Sequence, residues 1–169
     1  MYLDENKKVL FVTRMDQKLE QLLQQVTNIH PKNMLILNSF GPVISHPYSD
    51  LMRDIIIAIY QENVEEIFIV GTTEGQENTV DKQNLLNKIY ESERVKEKMQ
   101  TLDYLFQNCM PEFPNVSVSD WLEGSKTVVE GIQKSVDIIR HHPLIPSHVK
   151  VRSLFINRKK GNLVEVDVS

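Results

Sequence analysis

Three short, continuous apolar runs mark the first half of the chain: Val9-Leu10-Phe11-Val12, Met34-Leu35-Ile36-Leu37 and Ile67-Phe68-Ile69-Val70. Runs of this length, without polar interruption, are the pattern of strands buried on both faces. Between them the spacing changes to helical. Leu19, Leu22, Leu23 and Val26 form one stripe, ended by His30-Pro31-Lys32-Asn33, where proline disfavours helical geometry in the residue before it. Leu51, Met52, Ile55, Ile56 and Ile59 form a second stripe, with Ser49 or Asp50 as its N-cap.

Residues 78–109 are charged and helical in pattern, with Leu85, Leu86, Ile89 and Tyr90 as a stripe that Met99, Leu102, Leu105 and Phe106 continue. Pro111 to Ser119 breaks that helix and predicts a short extended piece around Val116 and Val118. Ser125 to Arg140 reads as another amphipathic helix. Val149–Ile156 and Leu163–Val168 then flank a Gly161 turn as a closing β-hairpin. Strands alternating with helices predict parallel pairing through right-handed crossovers. The fold expected is an α/β open sheet, mostly parallel, with helices on both faces and an antiparallel C-terminal edge strand. Ligands of such sheets sit where loops leave the carboxyl ends of strands. The segments after the first three strands are therefore the ones to read for chemistry.

Composition narrows the class. The 169 residues suit one domain, 1–169, with 41% hydrophobic and 25% charged residues, both ordinary for a globular protein. A net charge of −4 gives no field favouring nucleic acid, and the basic cluster Arg158-Lys159-Lys160 reads as a solvated turn. A single cysteine, Cys109, excludes an intrachain disulfide, and no segment resembles a signal peptide or approaches the roughly 20 apolar residues of a membrane helix. The cytoplasm is the expected compartment, without membrane insertion or a nucleic-acid partner.

The three loops read Thr13-Arg14-Met15-Asp16-Gln17-Lys18, Asn38-Ser39-Phe40-Gly41-Pro42 and Thr72-Thr73-Glu74-Gly75. In this order and spacing they resemble the β-class carbonic anhydrases, most closely the short bacterial branch. In that family the first strand is followed by T-C-M-D-A-R, the second by R-N-A-G-G and the third by H-T-D-C-G. The stretch from Ser135 through His141-His142-Pro143 to the Gly161 hairpin resembles that family's C-terminal portion, so the likeness runs from about Val9 to Val166.

The resemblance implies its own exceptions. The family's zinc is held by the cysteine of the first motif and the H-x-x-C of the third, positions that here carry Arg14, Thr72 and Gly75. Zinc takes thiolate, imidazole or carboxylate donors at roughly 2.0–2.3 Å, and these side chains supply none. Without the metal, nothing lowers a bound water's pKa from about 16 to about 7. The resemblance therefore implies a zinc-less, cofactor-free member without the standard hydration chemistry. Its crevice would be lined by Arg14, Asn38, Ser39, Gly41, Thr72, Thr73, Glu74 and Gly75, with a small bicarbonate-like anion as ligand. The first-motif aspartate persists as Asp16, its arginine partner reduced to Lys18. A homodimer is also implied, and the apolar helix Leu51 to Tyr60 fits one.

The residues leave several readings open. Arg14 offers bidentate hydrogen bonds to an oxyanion, or neutralises Asp16 or Glu74. Asp16 and Lys18 form a remnant acid–base pair, or Asp16 caps the helix that follows. His46 joins a rebuilt metal site or is solvated; His141 and His142 are structural; Trp121 and Cys109 are core or subunit contacts. Three function classes follow: an anion-binding or regulatory protein, an enzyme with rebuilt chemistry in the same crevice, and a structural subunit.

Overall fold

The computed structural model describes residues 4, 6–40, 44–73, 81–113 and 115–164. A five-stranded sheet holds the strands in the order β2-β1-β3-β4-β5, where β1 is Val9–Arg14, β2 Met34–Ser39, β3 Glu66–Thr72, β4 Lys150–Asn157 and β5 Asn162–Val164. The first four are parallel and β5 is antiparallel to β4, as the sequence pattern predicts.

The helices are α1 (Gln17–Thr27), α2 (Asp50–Glu62), α3 (Lys82–Ile89), α4 (Glu93–Cys109), α5 (Val118–Glu123) and α6 (Val128–Arg140). One sheet face buries Leu10, Val12, Ile67, Ile69, Val151 and Phe155 against Met52, Ile55 and Ile59 of α2 and Ile132, Val136 and Ile139 of α6. The other buries Phe11, Phe68, Leu154 and Ile156 against Leu19 and Leu23 of α1. Alternate residues of each strand thus serve opposite helix layers, which is why the runs are continuously apolar.

Four expectations change. β2 is an edge strand, and only Met34 in it is buried; a continuous apolar run does not reveal how many neighbours a strand has. The charged helical stretch is two helices, parted at Tyr90–Ser92. No extended piece forms at Val116–Val118: the Ser117 hydroxyl accepts from Asp120 N and starts α5 instead. The apolar stripe of α2 is spent on the core of its own chain, leaving Ile57 and Tyr60 outward. Among the described residues no helix is long and apolar enough to cross a membrane.

Two features set the strand ends. Gly71 packs so tightly beneath α6 that a Cβ would lie 2.4 Å from Ile132 Cδ1 and 2.9 Å from Phe155 Cε1. The buried Ser135 hydroxyl of α6 accepts from Ile44 N at 2.9 Å, tying the segment after β2 to that helix.

Candidate functional site

β1 ends at Arg14, and the chain turns at Asp16 to begin α1. Asp16 is extended (φ −157°, ψ 106°), and its Oδ1 accepts from Lys18 N at 3.0 Å and Leu19 N at 3.3 Å. It is the N-cap of α1. Its second oxygen carries the site. Oδ2 accepts from Arg14 Nη2 at 3.0 Å and also from Arg158 Nη2, so two guanidiniums converge on one carboxylate oxygen. The three side chains are 16%, 31% and 32% exposed for Asp16, Arg14 and Arg158, partly withdrawn from solvent screening.

Burial alone would raise the Asp16 carboxyl. The Arg14 hydrogen bond, the Arg158 charge and the Leu19 and Lys18 amides outweigh it and hold the group below the usual carboxylate value. Asp16 is therefore a fixed anion near neutral pH. With two arginines, the cluster carries one positive charge in excess. Two further buried polar atoms, Thr13 Oγ1 and Arg158 Nε, have no hydrogen-bond partner among the described residues.

Arg158 corrects the sequence reading, which placed it in a solvated turn. Leu154 and Ile156 are buried on the α1 face of β4, and Arg158 continues their period of two beyond the strand end. That alternation was the available signal. A basic tripeptide obscured it.

The remaining expected site residues have contacts of their own. Lys18 is exposed, and its ammonium makes no ion pair among the described residues, so it is not the partner of Asp16. Asn38 is exposed and donates to Glu20 Oε1 of α1. Ser39 lies beside Arg14 in register, and its carbonyl accepts from Met15 N at 3.0 Å. Thr72 ends β3 opposite Ile156, and Thr73 N donates to Ile156 O at 3.0 Å. Gly41, Glu74 and Gly75 lie outside the described residues.

His46 Nδ1 accepts from Tyr48 N, and its ring meets Phe113 edge-on at 5.1 Å. His141 Nδ1 donates to Asp137 O, and the buried His142 accepts from Leu144 N, both serving the end of α6. Cys109 and Trp121 are exposed, so neither is core. Zinc does not fit this site. Arg14 is committed to Asp16, Thr72 offers a hydroxyl, and among the described residues no three of His, Cys, Asp and Glu are grouped to hold a metal ion.

No protein-family model matches the chain. A Bacillus subtilis (strain 168) protein named "Putative carbonic anhydrase-like protein YbcF" is 52% identical over 161 residues, 95% of this chain and 87% of that protein. β-Carbonic anhydrase isoform I from Trichomonas vaginalis has the same fold, with a TM-score of 0.72 at 21% identity over 99% of this chain and 87% of its own. Two tetrameric β-carbonic anhydrases from Sordaria macrospora are represented at a TM-score of 0.53 and 12% identity, over 95% and 80%.

Proposed function

This chain belongs to the β-class carbonic anhydrase family, and from that premise we propose that it is a zinc-less member acting as a small-oxyanion binding or regulatory protein, without carbonate dehydratase activity. One observation carries the reading: two guanidiniums, Arg14 and Arg158, share a single carboxylate oxygen of Asp16 beyond the ends of β1 and β4. The excess charge and the N–H donors of two planar forks that have no other partner among the described residues suit a bicarbonate-like oxyanion.

A second reading is structural. Asp16 engages both arginines and caps α1 at once, so the cluster also serves as a clasp between strand, helix and hairpin. The rebuilt-enzyme reading, which would use Asp16, Lys18, Glu74 or a metal bound differently, finds no Asp16–Lys18 side-chain pair among the described residues.

Calorimetry with sodium bicarbonate against sodium chloride separates the first two. Saturable bicarbonate binding, weakened about ten- to hundredfold in Arg14→Ala or Arg158→Ala, is expected of an anion site, on the scale of a lost charge-assisted hydrogen bond. Absence of binding at millimolar concentration leaves the structural clasp. In stopped-flow assays CO2 hydration stays at the buffer rate; a rate abolished by Asp16→Asn would overturn the reading. A cytoplasmic homodimer completes the proposal. The unpaired Cys109 suits a reducing compartment, and the Sordaria relatives are tetrameric. Light scattering tests the assembly.

A further inference from the structure

A cavity not lined by the arginine cluster is bounded by the segment after β2, the α4–α5 connection, α5 and α6. We propose that this cleft binds a small zwitterion with a flat apolar body, the class of the aromatic α-amino acids. Its volume is about 530 Å³, within the range of small-molecule sites. None of Arg14, Asp16 and Arg158 lines it, so the proposal stands independently of the oxyanion reading.

The floor is aromatic and already assembled. Phe113 is buried, stacks on Phe106 with centroids 5.0 Å apart, and meets Trp121 at 6.5 Å; Phe106 and Trp121 lie 5.7 Å apart. His46 also meets Phe113 edge-on, with centroids 5.1 Å apart. Trp121 is nevertheless 44% exposed, and Phe40 stands on the rim at 79%. A rigid ring cluster with one open indole is a surface for a flat apolar group, supplied at little entropic cost.

The charges at the rim select the rest of the ligand. Three carboxylates line the cleft, Glu112, Asp120 and Glu123. Lys82 occupies two of them, its ammonium 3.1 Å from Asp120 Oδ1 and 2.9 Å from Glu123 Oε2, and Ser117 also donates to Asp120. The remaining lining charges are Glu112, on the α4–α5 connection, and Lys134, on α6; neither makes an ion pair among the described residues. A carboxylate and an ammonium without an ion-pair partner among the described residues, lining the same cleft as the aromatic rings, complement an ammonium, a carboxylate and a ring carried by one molecule. A simple apolar acid or amine would satisfy only half of that set.

Trp121 is the sole tryptophan of the chain, so its emission reports occupancy directly. L-Phenylalanine, transparent where indole is excited, is the probe. Titration of the full chain should give a saturable change with a Kd of about 0.1–1 mM. Phenethylamine, lacking the carboxylate, and 3-phenylpropionate, lacking the ammonium, should each bind about tenfold more weakly. Lys134 and Glu112 are exposed, so their variants leave the core untouched. Lys134→Gln should erase the preference for L-phenylalanine over phenethylamine, and Glu112→Gln the preference over 3-phenylpropionate. Equal affinity for all three compounds overturns the proposal, as does the absence of a saturable change at concentrations on the order of 10 mM. A blue shift of Trp121 that grows with protein concentration in the absence of any added compound also overturns it, since a second copy would then cover the cleft.

Discussion

Replacing Asp16 by asparagine removes one charge and leaves the helix cap in place, because asparagine caps about as well as aspartate. The two guanidiniums then face each other without their shared counter-ion. At an effective dielectric near 20, a pair at about 4 Å is worth roughly 4 kcal/mol before costs. Recovered hydration of the half-buried arginines and partial solvent screening offset much of that. A net destabilisation of about 2–3 kcal/mol remains, or a fall in Tm of roughly 4–12 °C for a chain of this size. Asp16→Ala also loses the cap and should cost about 1 kcal/mol more. Denaturant unfolding at neutral pH and low salt measures both. Added bicarbonate or phosphate should stabilise Asp16→Asn more than the parent, since an external oxyanion then replaces the internal one. The reasoning is refuted if Asp16→Asn lies within about 0.5 kcal/mol of the parent, or if the alanine and asparagine variants are equally stable.

Because the Asp16 carboxyl is held below its ordinary value in the folded state, its contribution is present above about pH 4 and is lost as pH falls through the folded-state value. The stability difference between parent and Asp16→Asn should accordingly shrink in acid, as urea midpoints at successive pH values would show. Gly71→Ala should destabilise by about 1–3 kcal/mol through overpacking against Ile132 and Phe155. Combining it with Ile132→Val, which deletes the nearest methyl, should restore part of the loss in the same unfolding assay. Protein purified without chelator should carry far less than one zinc per chain, given Arg14 and Thr72 at the matched positions; elemental analysis finding stoichiometric zinc that is lost on mutating these loops would contradict this.

The sheet was largely legible because Val9–Val12 and Ile67–Val70 lie between two helix layers and must be apolar on both faces. The same pattern at Met34–Leu37 misled, since an edge strand beneath partial cover reads alike in sequence. Helix starts were legible where a capping side chain precedes an apolar stripe, as at Asp16 and Ser49. Ser117 carries the same signal, but two flanking valines outweighed it. In the candidate site, the Arg14–Asp16 contact was available because the residues are two apart. The second arginine was not, because its partner lies 142 positions away and no local pattern encodes such a meeting.

That separation also fixes an order of events during synthesis. β3 lies at the middle of the sheet, yet the neighbour on one of its sides is β4, which begins only at Lys150. Until that strand leaves the ribosome, the nascent chain holds a seven-residue strand with an open hydrogen-bonding edge. The aspartate at the head of α1 meanwhile waits for its second arginine. The closing hairpin therefore completes the sheet, the core and the charge cluster in a single late step, the kind of long-range closure that makes folding slow and leaves the unfinished chain prone to wrong pairing.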